Sequence, residues 1–381
     1  MSDLLHDLQQ PLRMADLPTL VSTLNARQER KIDAILPASA ISAEGGNLRL
    51  QDTESLISVD GVTRTSGLYT PTSLCDGTLS AKLAIPLPYL RKMRIEEVGL
   101  LDTNINTWLR RLGHRRFLVR CLSDGPDGTG VARAMLSTNY KIIDHIDVLF
   151  AVLRGIKASG MEVTATADLT EQRMTVRVRS EEIRALAPTL LRRYRSPFSD
   201  ATGADDPTVF AGFVFTNGET GASKWTVTPR IVVRICSNGM TMTEDMIGAV
   251  HLGAEMADSG VIAWSEDTRA ANLALIVKQA RDAVRTFLNV EYVKRKLIEI
   301  EQKAGREISD PSATIQVVSQ RLRFTADEQR AILNHFIIGG DLTAGGVMHA
   351  VTSTAQTLVD PEAAFSMEMQ GVRAMEIATT V

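Results

Sequence analysis

The 381-residue chain lacks any catalytic signature that stands on its own. It holds no Gly-x-Ser-x-Gly elbow and no His-Glu-x-x-His pair. Its glycine-rich stretch GGDLTAGGV (339–347) lacks the Lys-Ser/Thr ending of a phosphate loop and reads as a turn with Thr343 near the next helix start. Cysteine is scarce: Cys75, Cys121 and Cys236 are odd in number and widely spaced. That argues against a disulfide framework and fits a reducing cytosol. No apolar run approaches the roughly 18 residues a membrane span needs, IDVLFAVL (146–153) being far too short. The first residues, MSDLLHDLQQPLRMADL, carry acids and no apolar core, which excludes an export signal. A net charge of -3 excludes a polybasic binder but leaves room for a local basic surface. No internal repeat or low-complexity tract stands out.

What is present is ordinary globular composition, 44% hydrophobic and 23% charged, enough for two or three structural units. Residues 1–36 read as one or two short helices ending before Pro37, and 39–87 as hairpins. PYLRKMRIEEVGLLDTNINTWLRRLG is helical, with Val98, Leu101, Ile105, Trp108 and Leu109 on one apolar face. RRFLVRCL and VARAMLS are strands, and IIDHIDVLFAVLRGIKASG is a helix closed by a glycine. MEVTATADL and RMTVRVR form a hairpin. SEEIRALAPTLLRRY reads as a helix with an N-cap and capping-box start at Ser180, followed by a surface loop. A second hairpin runs from VFAGFVFTNGE to SKWTVTPRIVVRIC. From about residue 244 the chain is mainly helical, with one long helix or helix pair between Asp267 and Gly305. The expected fold is α+β: a central, mostly antiparallel sheet of hairpins packed on helices, with a helical C-terminal portion. The expected units are 1–87, 88–243 and 244–381.

Cys236 ends a strand in VVRICSNGM. A nucleophile there needs a base or cation to lower its pKa, and no pattern supplies the base. Asn238-Gly239 is a common turn pair, so the stretch reads as a corner. His145 and Asp147 lie two apart at a helix start and point in different directions, with Asp144 the N-cap. No metal site and no cofactor are expected, and the reading leans away from an enzyme.

The most informative pattern is arginine on strands. Alternation puts Arg173, Thr175, Arg177 and Arg179 on one face of RMTVRVR, opposite Met174, Val176 and Val178. Arg230 and Arg234 share a face in TPRIVVRIC, as do Arg116 and Arg120 in RRFLVR, with Arg133 on the neighbouring strand. WLRRLGHRRF and LLRRYRSPF add Arg110, Arg111, Arg115, Arg192, Arg193 and Arg195. Planar guanidinium forks suit phosphates, and Tyr194, Phe198 and Trp225 offer surfaces on which bases could stack. The competing reading is a solvated face whose arginines pair with acids from loops or the long helix.

Taken together, GVARAMLSTNYKIIDHIDVL, TPRIVVRICSNGM, the long helix and GGVMHAVTSTAQTLVDPEAA resemble the phage and plasmid-like family called domain of unknown function 932, over roughly residue 60 to the end. That family carries no established activity and no catalytic residues to transfer. The resemblance implies a bacteriophage or mobile-element protein in the bacterial cytoplasm. A sheet with a long helix is also similar in outline to single-strand annealing proteins of the RecT and Red-beta kind, which is analogy of fold alone. The expected function is therefore single-stranded DNA binding or annealing in recombination or replication by a non-enzymatic homo-oligomer. Two alternatives stand beside it: a phage assembly or host-protein interaction module, and an uncharacterised nucleic-acid-processing enzyme.

Overall fold

The computed structural model describes residues 10–51, 56–58, 61–63, 66–125, 128–138, 140, 142–237, 239–249 and 266–381. The chain enters through β1 (Leu12–Ala15) and α1 (Leu17–Arg30), a helix capped by the Asp16 carboxylate, which accepts from Thr19 N–H. The first sheet takes β2 (Lys31–Pro37), β3 (Ile41–Glu44), β4 (Asn47–Leu50) and, after a small separate hairpin β5–β6 (Leu56–Ser58, Gly61–Thr63), β7 (Gly67–Pro71). Three helices follow: α2 (Ser73–Leu83), α3 (Leu87–Glu96) and α4 (Val98–Leu112). The chain then returns as β8 (Arg116–Leu122) and β9 (Gly130–Ser137), giving the order β2-β8-β9-β7-β4-β3. Every pair is antiparallel except β7–β9. Ile32, Leu48, Phe117 and Val119 meet Leu79, Leu90, Leu101 and Ile105 of the helices in a core of its own. Asn106 pins α4 to β3 by exchanging both hydrogen bonds with the Ala43 backbone (2.7 and 2.9 Å).

α5 (His145–Ser159) leads to the second sheet, formed by β10 (Thr164–Leu169), β11 (Met174–Leu186), the single turn α6 (Pro188–Leu191), β12 (Thr208–Asn217), β13 (Trp225–Val233), β14 (Gly239–Thr241) and β15 (Ile247–Ala249). Its order is β1-β10-β11-β12-β13-β14, with β15 also on β13, all antiparallel. The rest is helical: α7 (Glu266–Phe287), α8 (Val290–Ala304), α9 (Pro311–Leu322), α10 (Ala326–Gly339), α11 (Ala344–Thr357), α12 (Pro361–Glu368) and α13 (Gly371–Ala378). Val176, Val178, Phe213, Phe215 and Ile231 join α1, α5 and these helices in the larger core. α5 and α7 cross closely, because a Cβ on Gly155 would stand 3.1 Å from the Arg281 backbone. The fold is α+β, with antiparallel and mixed sheets and helices concentrated towards the C-terminus.

Two local expectations fail for the same reason: strand pairing outweighs helical periodicity. Residues 31–37 are not helical, because they pair with β8 along their whole length. Ser180 does not cap a helix, because β11 continues to Leu186 across a bulge opposite β12, leaving one helical turn at α6. The stretch between Asp267 and Gly305 takes the helix-pair form, α7 and α8, broken before Asn289, whose side chain caps α8 by accepting from Glu291 and Tyr292 N–H. Trp108 also departs from its assigned buried face: Leu101, Ile105 and Leu109 are buried, while Val98 and Trp108 stay partly exposed. Strands on both sides of residue 87 belong to the first sheet. Residues 1–9, the larger part of the stretch read against an export signal, lie outside the described residues.

Candidate nucleic-acid interface

Strand alternation places the arginines on shared faces as expected, but most of those faces are closed. Arg120 is 1% exposed, Arg133 2%, Arg177 5% and Arg230 9%, and Trp225 is fully buried. None of these five can meet phosphate or base: the arginine face expected to meet solvent is closed at these positions. A buried guanidinium needs a compensating carboxylate, and each of the four has one.

The first closed network joins the two sheets. Arg120 on β8 reaches Asp33 on β2 (2.7 Å), Asp144 before α5 (2.7 Å) and the backbone carbonyl of Glu219 (2.6 Å). Glu219 sits in the turn between β12 and β13. Its carboxylate takes Arg133 Nη1 at 2.8 Å and His145 N–H at 2.6 Å. Asp144 is at the N-cap position but makes no side-chain cap, because Arg120 and Lys31 hold its carboxylate. Burial opposes the charge on Arg120, yet Asp33, Asp144 and Glu219 outweigh it and raise its pKa. Burial likewise works against ionised Glu219, but His145, Arg133 and Arg120 hold it well below the usual carboxylate range. His145 is pushed down to about 4, chiefly by burial, and its Nδ1 meets the Asn217 amide at 3.1 Å. Among the described residues no three His, Cys, Asp or Glu side chains gather to hold a metal ion.

The second network covers the polar face of the second sheet. Glu368, at the end of α12, takes Arg177 Nε at 2.8 Å and contacts Arg230 Nε at 2.7 Å. Arg177 also reaches Asp168 at 2.6 Å, and Arg13 binds the same carboxylate. Arg173 is shared between Glu362 (2.9 Å) and the Phe365 ring, and Arg179 between Glu181 (2.7 Å) and the Phe210 ring. Arg230 also explains VVRICSNGM. Its guanidinium crosses Gly239, where a Cβ would fall 1.7 Å from Nε. The positive φ of the corner belongs to Ser237 (57°), while Gly239 lies in β14. Asn238 lies outside the described residues. Cys236 is buried in the main core, with its carbonyl accepting from Gln356.

Two arginine-bearing surfaces remain open. At the end of α4, Trp108 is 37% exposed and Arg111 lies over its ring at 4.8 Å. Among the described residues Arg110 bonds the Thr107 hydroxyl and Arg116 the Ile35 carbonyl. Among the described residues, none of Arg110, Arg111 and Arg116 has a carboxylate within ion-pair distance. Arg115 is half-buried beside the Phe117 ring (5.5 Å).

The second open surface is the loop after α6. Tyr194 is buried and stacks on His349 at 4.3 Å, so Arg192, Arg193 and Arg195 project from a braced backbone, with Phe198 exposed nearby. Arg193 meets Glu307 only at 3.4 Å. Arg234, just past β13, is exposed and 3.4 Å from Asp206. Tyr194 is therefore an anchor for this loop and has no face free for a base. Sequence reasoning missed the acids that close the networks, Asp33, Asp168, Glu219 and Glu368, none of which stands in an arginine-rich motif.

The chain matches no family model, no curated protein and no solved structure. The resemblance to the domain of unknown function 932 family accordingly stays an expectation.

Proposed function

We propose that this protein binds single-stranded DNA at the end of α4, as a non-enzymatic, homo-oligomeric protein of a bacteriophage or mobile element acting in the host cytoplasm. The observation that carries this reading is the exposed Trp108 with Arg111 over its ring, followed at the end of α4 and the start of β8 by Arg110 and Arg116, all three arginines without a carboxylate partner among the described residues. Arginines without acid partners keep their forks for phosphates, and an exposed indole gives a base a stacking platform that every base can use. α4 is fixed to the first sheet through Asn106, so the surface is organised before any ligand arrives.

The test is fluorescence anisotropy of labelled oligo-dT over a salt series, with the wild type and the triple variant Arg110→Ala/Arg111→Ala/Arg116→Ala. Each phosphate contact on a single strand contributes about 0.7 to the salt slope, so the triple variant is expected to flatten it by about 2. Trp108→Ala is expected to weaken binding about tenfold or more, with little change in slope. Wild-type protein that ignores oligo-dT at low salt, or a triple variant that binds like the wild type, overturns the reading.

A second reading, a protein-interaction module, is favoured by Ile337, Ile338 and Leu342, which are exposed within six residues of one another. It predicts concentration-dependent assembly that Ile338→Asp disrupts and DNA leaves unchanged.

A further inference from the structure

We infer that the Tyr194-anchored loop is a second, separate site for single-stranded nucleic acid, so that one chain can hold two strands. This rests on the nucleic-acid reading above and goes beyond it.

The loop is built to present its arginines. Tyr194 N–H bonds Leu191 O, Gly203 N–H bonds Tyr194 O, and Arg195 N–H bonds Gly339 O, all within 2.9–3.0 Å. The Tyr194 ring fills the space beside Gly339, where a Cβ would stand 3.4 Å from it, and stacks on His349 of α11. Arg192, Arg193 and Arg195 are left outside on a backbone that cannot swing. The loop's own acids are mostly engaged: Asp205 takes the Thr202 hydroxyl, and Asp206 accepts from Thr208 N–H and faces Arg234.

Beside the arginines lies a cleft of about 390 Å³, lined by Arg192, Arg193, Glu301, Glu307, Asp341 and Thr343 among others. That volume lies in the range of small-ligand clefts. Its lining mixes guanidiniums suited to phosphate, Arg193 standing 3.4 Å from Glu307, with carboxylates suited to the ring N–H and amino groups of a base. Glu301 accepts from Leu190 N–H, and Asp341 takes the Thr343 hydroxyl at 2.9 Å. Phe198, packed edge-on against His335 and still 47% exposed, supplies a stacking face close by.

This surface is not an extension of the one at α4. The loop joins the second sheet at the Thr208 end of β12, roughly 30 Å along that ten-residue strand from the Glu219 turn. Arg116 stands at the other sheet, four residues along β8 from Arg120, or about 13 Å from the same junction. Each surface therefore lies away from the Glu219–Arg120 joint on its own sheet. Two strands held this way are brought near one another without competing for one groove, which is what pairing or bridging requires.

The experiment mixes two non-complementary oligo-dT strands, one carrying a donor dye and one an acceptor, with full-length protein diluted until light scattering in the same buffer gives a single subunit. Energy transfer reports bridging, and anisotropy on either strand alone reports binding. The loop variant Arg192→Glu/Arg193→Glu/Arg195→Glu is expected to retain wild-type anisotropy within about threefold at the α4 surface while its transfer falls to background. A loop variant that still bridges overturns the inference, because the second strand is then held elsewhere on the chain. Wild-type protein that binds one strand and never bridges overturns it too, leaving the α4 reading in place. Absence of binding in both assays removes both readings.

Discussion

Replacing Glu219 by glutamine tests the joint between the sheets most directly. The change keeps the side-chain volume and an oxygen able to accept His145 N–H, but it removes the charge facing Arg133 at 2.8 Å. Arg133 is 2% exposed, and among the described residues its Nε and Nη2 have no hydrogen-bond partner, so Glu219 is its direct counter-charge, with the Glu171 carboxylate acting from further off. Breaking a buried ion pair from one side costs about 3–5 kcal/mol, mostly for the charge left behind. Glu219→Gln should therefore lose on the order of 3 kcal/mol, and Glu219→Ala a further 1–2 kcal/mol, because His145 N–H then lacks its acceptor. Adding Arg133→Met to Glu219→Gln should recover most of the loss, since no unpaired charge remains. Urea unfolding at pH 7 followed by tryptophan fluorescence and far-ultraviolet circular dichroism measures all four proteins. The joint also predicts that the two probes, coincident in the wild type, separate in Glu219→Ala. A Glu219→Gln midpoint equivalent to less than 1 kcal/mol of destabilisation would refute the view that this carboxylate holds the sheets together.

Three further outcomes are expected. Burial pushes His349 down to about 4 from an ordinary value near 6.5. Between those values the unfolded chain binds a proton that the folded chain refuses, so stability falls as pH drops from 7 to 5, by about 2 kcal/mol for this residue. His349→Phe keeps a ring against Tyr194 and should remove that share of the pH dependence in urea titrations at pH 7 and pH 5; an unchanged difference would contradict the assignment. Gly239→Ala should cost at least about 2 kcal/mol in thermal or urea unfolding, because its Cβ cannot share space with Arg230 Nε, while Gly239→Ala with Arg230→Met should be milder. Glu368→Ala should destabilise by about 3–5 kcal/mol, since it leaves Arg230 without its carboxylate and Arg177 with Asp168 alone; a loss under 1 kcal/mol would show those arginines to be hydrated.

The period-two patterns were legible because they are local. Thr175 and Arg177 against Val176 and Val178, and Phe213 and Phe215 against Gly212 and Val214, are set by the pleat and nothing else. Which face meets water was not legible, because that depends on residues far away along the chain. Arg177 is closed by Glu368, 191 positions on, and Arg133 by Glu219, 86 positions on. KIDAILP carries a helical spacing as well as a strand one, and only its pairing with β8 decides between them. The α4 surface was half legible: the arginines of WLRRLGHRRF stand out, but Trp108 was assigned to the apolar face because Leu101, Ile105 and Leu109 share its spacing.

The two populations of arginine do different work, and burial is what separates them. Inside, Arg120, Arg133, Arg177 and Arg230 fix how β8, α5, the Glu219 turn and α12 sit against one another, since a buried fork accepts its carboxylates in few geometries. Outside, Arg110, Arg111, Arg116, Arg192 and Arg195 are spared carboxylate partners among the described residues and stand on helix, strand and loop backbones that the fold already holds. A net charge of -3 hides this division, because acids consumed in the interior count the same as acids that would repel a phosphate. The inner pairs hold the scaffold rigid, and that rigidity keeps the outer arginines in place for a ligand. A loss at Glu219 should then weaken strand bridging before it weakens binding at α4, because bridging needs both sheets in register and binding needs only one.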